Sequence, residues 1–452
     1  MKAPKPPVAK KIPHAFEHHG QNIKDDYAWL KDPNYPKVED PEILDYLGAE
    51  NAYFEDVMRP HRKLIQTLFE ELKGRQPEED SSVPFEKNGF FYQWRYHQEA
   101  QYRTWYRSPI SDPEAWSVLL DERDLAKGSD YFTLGGLAVS DDARLMTYSI
   151  DRNGGERFDL FTVDIGSGEQ ISAPIENTLG EAVWNRQGTG FAYVILNDNW
   201  RPFKILFRDL TSEQPDKAIY EEPDESFFLG IDRSQSESFT FISSGDHVTS
   251  QSFLLSSDDL LASPSAMTKR TPGHEYYVDH DGHQFVIRSN LRQANFDVFV
   301  CQTQTTDVRD WRIVVEGSKD YYITDHLCLS ECLVVTGRQA GLDQISIYDK
   351  TITKGHNIEF PDASYSADLG NNPNFHSNFI MLEYSSMISP HRCMDYDLQA
   401  RSLTTKKTQK IPSGYDENEF LAERIQAEAR DGSLIPISLV YQFYVFLRKT
   451  NH

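Results

Sequence analysis

Short apolar runs alternate with polar turns along most of this chain, and residues 131–170 show the pattern most plainly. Three runs of β-forming residues there are separated by turns rich in Asp, Asn and Gly. Runs of this kind predict antiparallel strands joined by hairpins. The pattern recurs with a period of about 45 residues, which is typical of propeller blades of about four strands each. We place seven such units at residues 83–125, 131–172, 175–222, 225–268, 271–317, 321–360 and 366–410.

The first part of the chain has a different periodicity and lies outside the repeat. Asp40 followed by Pro41 predicts the start of a helix, because Asp caps a helix and Pro is tolerated at its first position. A second helix is predicted after Pro60 and ends at Gly74. The fold class is therefore predicted as all-β, a seven-bladed β-propeller preceded by a short α-helical N-terminal segment.

Charge and composition narrow the classes of partner. The 452 residues carry a formal net charge of −24, which argues against a nucleic-acid partner because phosphate binding needs clustered Lys and Arg. The same charge permits a field that gathers cationic ligands, although it is also what keeps many large proteins dispersed. Four cysteines, no export signal and no apolar stretch of about 20 residues predict a reduced, cytoplasmic protein without a membrane partner.

Motifs near both ends of the repeat resemble one enzyme family. Residues 19–32 read HG(x)4DDYAWLKD, residues 46–54 read YLGAENAYF, and residues 420–441 read FLAERIQAEARDGSLIPISLVY. These stretches resemble oligopeptidase B (protease II), of the prolyl oligopeptidase family S9A of serine peptidases. The order and spacing of the motifs agree with that family over about residues 12–441.

The resemblance implies a two-domain enzyme. In that family a seven-bladed propeller covers an α/β-hydrolase domain and restricts access, so that short peptides are cut and folded proteins are spared. Oligopeptidase B cleaves after Lys and Arg, which implies short basic peptides as partners. An acidic vestibule would concentrate such peptides by long-range attraction that salt weakens.

The chain departs from the family pattern after Tyr441. Only 38 residues run from Tyr415 to the last residue, whereas a hydrolase domain needs roughly 200. We therefore predict the following segments: an N-terminal helical arm at 1–78, the propeller at 79–414, the truncated start of an α/β-hydrolase domain at 415–441 and a non-family tail at 442–452.

A search for the catalytic apparatus agrees with this division. The nucleophile of an α/β-hydrolase sits in a G-x-S-x-G turn, and no such motif occurs in the sequence. Gly166-Ser167-Gly168 and Gly128-Ser129-Asp130 come nearest, and both are predicted in turns. We predict no catalytic residue in this chain, with the triad expected beyond its C-terminus, and leave open whether it is an enzyme.

Other candidate sites have simpler structural interpretations. His274, His280 and His283 might suggest a metal, but Asp281-Gly282 predicts a hairpin with exposed turn histidines. Cys328 and Cys332 flank a predicted turn and are interpreted as buried thiols. His18 and His19 are interpreted as solvated loop residues. The prediction is no metal and no cofactor, with the substrate-binding residues unknown.

Three functions remain open on the sequence. The favoured one is the substrate-gating propeller of an oligopeptidase B-like serine endopeptidase, inactive alone. The second is a free-standing propeller that acts as a binding module. The third is one half of a split peptidase whose hydrolase domain is a separate chain.

Overall fold

The computed structural model describes residues 4–35 and 37–443, which form two compact units. One unit comprises the residues up to Pro77 together with Ile411–Gly414. The other comprises Glu78–Lys410 and the residues from Tyr415 onward. The elements of the first unit are β1 (Ala15–His18), β2 (Gln21–Lys24), α1 (Pro41–Met58) and α2 (Arg62–Gly74).

The N-terminus of α1 confirms the predicted cap. The side chain of Asp40 accepts a hydrogen bond of 2.8 Å from the Glu42 amide, and Pro41 occupies the first helical position. Ile43 is buried, but the remaining apolar positions of both helices are largely exposed. These exposed positions are Leu44, Leu47, Phe54, Val57, Leu64, Ile65, Leu68, Phe69 and Leu72. Among the described residues, no helix has the length and apolar character that crossing a membrane requires.

The second unit is built from antiparallel sheets, which confirms the all-β prediction. Its first sheet holds β3 (Asp80–Ser81), β4 (Phe85–Lys87), β5 (Phe90–Tyr96), β6 (Thr104–Pro109) and β7 (Ser117–Asp121), followed by the short helix α3 (Glu122–Leu125). A seven-stranded sheet follows, made of β8 (Thr133–Val139), β9 (Leu145–Asp151), β10 (Phe158–Asp164), β11 (Ile175–Trp184), β12 (Gly190–Leu196), β13 (Pro202–Asp209) and β14 (Lys217–Glu221).

Four four-stranded sheets and a hairpin complete the unit. The strands are β15 (Phe228–Arg233), β16 (Phe239–Gly245), β17 (Ser250–Ser256) and β18 (Ser265–Ala266); β19 (Tyr276–His280), β20 (Gln284–Ser289), β21 (Asp297–Gln302) and β22 (Arg312–Val315); β23 (Tyr321–Cys328), β24 (Cys332–Gln339), β25 (Leu342–Asp349) and β26 (Gly355–Asn357); β27 (Tyr365–Leu369), β28 (Phe379–Ser386), β29 (Arg392–Asp397) and β30 (Ser402–Thr408); and the hairpin strands β31 (Phe420–Glu428) and β32 (Leu434–Gln442). Each sheet is a meander of consecutive strands, as in propeller blades.

The second and third predicted repeat units share one sheet, because β11 belongs to both. Its first half pairs with β10 and its second half pairs with β12. The strand bends at Gly180, whose φ of +107° is rarely adopted by residues with a Cβ. The Ser149 hydroxyl donates a hydrogen bond of 2.7 Å to the Gly180 carbonyl and fixes the bend. The seven predicted repeat segments therefore appear as six sheets in the described chain.

Six buried apolar clusters hold successive groups of strands together. One cluster packs β12 and β13 against β15 to β17, and another packs β24 and β25 against β27 to β29. The remaining clusters join the other neighbouring groups, from the first sheet to the sheet that begins with β23. Burial of apolar surface at about 25 cal/mol per Å² makes these contacts the main source of stability.

The contact between the last sheet and the first is polar. No cluster of buried apolar residues in the described chain joins these two sheets. Lys407 Nζ instead lies 2.7 Å from Asp80 Oδ1, donates to the Ser81 carbonyl and lies 5.5 Å from the ring centre of Trp94. A cavity of 510 Å³ lies beside this contact, lined by both sheets. No strand of one sheet pairs with a strand of the other in the described chain.

Candidate functional site

The first strands of successive sheets face a central space. A cavity of 430 Å³ is lined by residues of β4, β5, β8, β11 and β15, and by Asn371 and Pro373, which follow β27. Strands from widely separated parts of the chain meet here because the first strand of each propeller sheet lies nearest the central channel. This channel is the candidate functional site.

Five carboxylates lie on the first strands of five consecutive strand groups. We call them the channel acids: Glu181 on β11, Asp232 on β15, Asp279 on β19, Asp325 on β23 and Asp368 on β27. Asp279 is partly buried, and the side chains of the other four are exposed to solvent. Each repeat therefore contributes one negative group to the channel wall.

The protein environment raises the pKa of two channel acids. Burial, with a further contribution from the charge of Glu181, raises the pKa of Asp232 to about 6. Burial likewise raises the pKa of Asp279 to about 6, against hydrogen bonds of 2.8 Å from the Gln235 amide and 2.7 Å from the His280 amide. Solvent reaches Asp232 although protein surrounds it, as expected for the wall of a narrow channel. Both groups are mostly ionised at pH 7.

The channel acids have no basic partner, whereas nearby basic residues are already paired. None of the five forms an ion pair within the described residues. Arg233 binds Asp141 through two bonds of 2.6 and 2.7 Å, and Lys87 Nζ lies 3.6 Å from Glu237 Oε1. The field of the channel acids is therefore left to act on a cationic ligand.

His326 and Arg288 form a buried group near the channel acid Asp325. Burial, with the adjacent Arg288 charge, lowers the pKa of His326 to about 4 despite the opposing effect of Asp325. The Arg288 guanidinium lies 4.2 Å from the ring centre of Tyr277 and 4.5 Å from that of Phe296. His326 is therefore neutral at pH 7, and Arg288 is held by aromatic faces.

One end of the channel is crossed by the segment that follows β27, residues 370–376, which we call the cap segment. The Gln235 side chain donates a hydrogen bond of 2.7 Å to the Asn372 carbonyl. The Ser330 amide donates one of 2.9 Å to the Phe375 carbonyl, and the Phe375 ring lies against Gly282. These contacts reach the turns after β15, β19 and β23, which lie at one end because the first strands run in the same direction. The cap segment narrows this end.

The hairpin of β31 and β32 lies at the opposite end. Arg424 donates a hydrogen bond to the Ala340 carbonyl, in the turn between β24 and β25. The hydroxyls of Ser364 and Ser438 are 2.7 Å apart. The two ends of the channel therefore differ in what lies against them.

The serines nearest to a nucleophile motif lie in turns, as predicted. The Ser167 amide donates a hydrogen bond of 3.0 Å to Asp164 in the turn after β10. Ser129 lies in the segment between α3 and β8. Neither belongs to the channel site. The absence of a catalytic residue stays a prediction, and the predicted tail lies outside the described residues beyond Phe443.

The histidines of the candidate metal motif are separated, and the interpretation of all three as exposed was wrong. The hairpin at Asp281-Gly282 is confirmed, and His283 is exposed in its turn. His274 is buried and its Nε2 lies 2.8 Å from the Ser289 hydroxyl. His280 is buried and its Nδ1 lies 2.7 Å from the Ser236 hydroxyl. Their alternation with core residues along the strands, rather than the turn beside them, decided their burial.

The other candidate residues lie where the sequence predicted. Cys328 and Cys332 are buried at the two ends of the turn between β23 and β24. Burial raises the pKa of the Cys328 thiol well above its usual range and that of Cys332 to about 12, so both are unreactive thiols. His18 and His19 are exposed, at the end of β1 and in the following turn.

The sequence analysis missed the channel acids. Their signal was an acidic residue that recurs about 45 residues apart, shortly before the first turn of each repeat unit. A carboxylate is common near turns, so this signal becomes specific only when the strand order is known.

Comparison with known proteins agrees with this architecture. Residues 6–409 match the family described as "Prolyl oligopeptidase, N-terminal beta-propeller domain". The chain is 28% identical to Protease 2 of Moraxella lacunata and 31% identical to dipeptidyl aminopeptidase BI of Pseudoxanthomonas mexicana. These alignments cover 96% and 97% of the chain but 63% and 62% of the relatives. The chain thus spans slightly less than two thirds of their length.

Solved structures share the fold. Oligopeptidase B from Leishmania major superposes with a TM-score of 0.89 at 23% identity, over 97% of this chain and 65% of that one. Oligopeptidase B from Trypanosoma brucei, in a closed form with covalently bound antipain, gives a TM-score of 0.88 at 24% identity with the same coverage. The predicted propeller and the family resemblance are confirmed. The chain belongs to the family of prolyl oligopeptidase N-terminal β-propeller domains.

Proposed function

We propose that this chain is the propeller part of an oligopeptidase B-like serine peptidase, and that its channel admits and holds short basic peptides. The observation that carries the proposal is the set of five unpaired channel acids on five consecutive first strands. In this proposal the chain selects and positions the substrate. Hydrolysis belongs to a part of the protein that corresponds to the rest of the relatives.

We count seven blades in the proposed propeller. The strands β8 to β10, with the first half of β11, make one blade, and the second half of β11 with β12 to β14 makes the next. The bend at Gly180 supports this division because the strand changes partners there. The other five sheets supply one blade each.

The channel acids favour a cationic ligand for two physical reasons. A Lys or Arg side chain at about 4 Å from one carboxylate gains roughly 4 kcal/mol of Coulomb energy at an effective dielectric constant of about 20, before its own desolvation is subtracted. Several acids act on the same narrow space, so their fields add and raise the local concentration of basic peptides. A neutral or acidic peptide gains neither effect.

The cap segment supports selection by size. Its contacts with Gln235, Gly282 and Ser330 tie it to three different sheets, so it crosses the channel end as a fixed element. An extended chain needs far less room than a folded domain. We infer that folded proteins are excluded and short peptides are admitted.

A second candidate substrate feature is the peptide N-terminus. The relative from Pseudoxanthomonas mexicana is named a dipeptidyl aminopeptidase, and a free α-amino group is a cation that carboxylates bind as they bind Lys. The channel acids fit either cation. The functions of a free-standing binding module and of one half of a split peptidase use the same channel and differ in whether a hydrolase domain accompanies it.

Equilibrium binding of labelled peptides tests the proposal. The probes are N-acetylated hexapeptides with two Arg, two Gln or two Glu residues, and the Gln peptide with a free N-terminus. We expect the Arg peptide to bind at least about 10-fold more tightly than the Gln peptide, with an affinity that falls as salt rises. The variant Asp232→Asn/Asp325→Asn should lose most of this preference. Glu213→Gln, an exposed acid between β13 and β14, is the matched control and should keep it.

Each outcome is informative. Tighter binding of the free N-terminus than of the acetylated Arg peptide would favour the aminopeptidase alternative. Equal affinity for the Arg, Gln and Glu peptides would contradict a role for the channel acids in binding.

A further inference from the structure

Three side chains with metal-binding donor atoms meet on the last sheet, away from the channel acids already described. The donor atoms of Glu383, His391 and Cys393 all lie within 4.8 Å of one another. His391 Nε2 is 2.6 Å from Glu383 Oε2, and the Cys393 thiol donates to the same oxygen at 3.3 Å. Two polar hydrogens therefore converge on one carboxylate oxygen.

The backbone of one strand pair places these side chains together. Cys393 on β29 lies directly opposite Glu383 on β28, so their side chains leave the sheet on the same face. His391 precedes Cys393 by two residues, which is the spacing that returns a side chain to the same face. The arrangement follows from local register and needs no contact with a distant part of the chain.

We propose that Glu383, His391 and Cys393 bind a Zn²⁺ ion, with a water molecule as the fourth ligand. Thiolate sulfur, imidazole nitrogen and carboxylate oxygen are the three ligand types that Zn²⁺ takes in proteins. Hard cations such as Mg²⁺ and Ca²⁺ prefer sites made of oxygen ligands alone. The mixed donor set therefore selects zinc over these ions.

The distances fit with a small adjustment. Tetrahedral bonds of about 2.0 to 2.3 Å place donor atoms roughly 3.3 to 3.5 Å apart. The sulfur and the carboxylate oxygen already have this separation, and the imidazole must move away from the carboxylate by about 0.7 Å as the cation replaces the shared hydrogen. The side chains of His391 and Glu383 retain 48% and 36% of their exposure, which leaves room for that movement.

Charge balance also favours a divalent cation. Zinc binding removes the thiol proton of Cys393 to solvent, and the thiolate and the Glu383 carboxylate together neutralise the two charges of the ion. Without a cation, burial and the neighbouring Glu383 raise the pKa of this thiol to about 12. Lys407, opposite Cys393 on β30, has the contrary effect on the thiol, but its ammonium group is bound by Asp80.

Calorimetric titration of the purified 452-residue chain with Zn²⁺, without a polyhistidine tag, tests the proposal. Titration in two buffers of different protonation enthalpy should give one Zn²⁺ per chain and about one proton released. Co²⁺ serves as a second probe, because a thiolate ligand gives it a charge-transfer absorption band. Cys393→Ser, His391→Asn and Glu383→Gln should each weaken Zn²⁺ binding by about 10-fold or more. His376→Gln, an exposed histidine of the cap segment, is the matched control and should bind normally.

A second measurement on the unmodified sequence keeps the proposal testable if a variant fails to fold. Saturating Zn²⁺ should protect Cys393 from alkylation by iodoacetamide at least about fivefold, as mapped by mass spectrometry. The other three cysteines are buried and provide internal references. Unchanged Zn²⁺ affinity in all three ligand variants, a Co²⁺ complex without the thiolate band, or alkylation of Cys393 at an undiminished rate would overturn the proposal.

Discussion

Lys407 and Asp80 connect the last sheet of the propeller to the first, with 2.7 Å between the ammonium nitrogen and the carboxylate oxygen. Other neighbouring strand groups are joined by buried apolar clusters. This junction instead combines an ion pair, a hydrogen bond to the Ser81 carbonyl and a contact with the Trp94 ring. Because polar contacts exchange with water at little net cost, the junction is expected to be the weakest of the ring.

Replacement of Lys407 by Met should loosen this junction. The ion pair is partly exposed, so its loss should cost about 1 kcal/mol of local opening free energy. Amide hydrogen exchange in β3 and β30 should then be about fivefold faster, as measured by mass spectrometry. Lys406→Met is the control, because Lys406 pairs with Asp395 within the last sheet at 3.3 Å. Equal exchange in β3 for both variants would contradict this account of the junction.

The pair formed by Arg233 and Asp141 should be worth much more. The two side chains retain 13% and 20% of their exposure, so the removal of either one leaves a poorly solvated charge. Arg233→Met and Asp141→Asn should each destabilise the protein by about 2 to 3 kcal/mol, and the double variant by clearly less than their sum. Chemical denaturation of the four proteins measures this coupling.

An exposed pair of the same geometry provides the comparison. Arg309 and Asp307 are 2.9 Å apart, and their side chains retain 85% and 46% of their exposure. The variant Arg309→Met should lower stability by less than about 0.5 kcal/mol. If Arg233→Met has an equally small effect, the pair at the channel does not support the fold as described.

The channel acid Asp279 should make the protein less stable as pH rises. Burial raises its pKa in the folded state to about 6, whereas the pKa in the unfolded chain is about 3.9. Between these values the folded state holds a proton that the unfolded state has lost, so the cost grows from pH 4 to pH 6 and is complete above pH 6. Asp279→Asn keeps an acceptor for the Gln235 amide and removes this cost.

Denaturation curves at pH 4.5 and pH 7.5 test the effect of Asp279. Asp279→Asn should gain about 1 to 3 kcal/mol relative to the unmodified protein on going from the lower to the higher pH. Glu213→Gln, whose carboxylate is exposed, should show no such gain. A pH-independent difference for Asp279→Asn would show that its carboxylate is not held in the environment described.

The purified chain should not hydrolyse a short fluorogenic peptide that ends in Arg or Lys. The sequence lacks the G-x-S-x-G turn that exposes the nucleophile of an α/β-hydrolase. The assay is run with and without a serine-directed covalent inhibitor. Turnover that the inhibitor abolishes would contradict the assignment of hydrolysis to another part of the protein.

The sequence predicted the elements that local rules determine. The helix cap at Asp40, the hairpin at Asp281-Gly282 and the buried turn cysteines follow from short-range preferences, and the structure confirms them. The shared strand β11 was missed because its two halves differ only in their partners, which the sequence of one strand does not specify. The channel acids were missed because only the closed order of the sheets brings the first strands together.

Photo-crosslinking with a short Arg-containing peptide that carries a benzophenone group tests the central claim most directly. The account predicts crosslinks to peptides from β15, β19 and β23, which carry Asp232, Asp279 and Asp325, and their loss in the Asp232→Asn/Asp325→Asn variant. A Glu-containing peptide with the same group is the control and should not label these strands. Crosslinks confined to outer strands such as β18 and β22, or identical labelling by both peptides, would contradict a basic-peptide site in the channel.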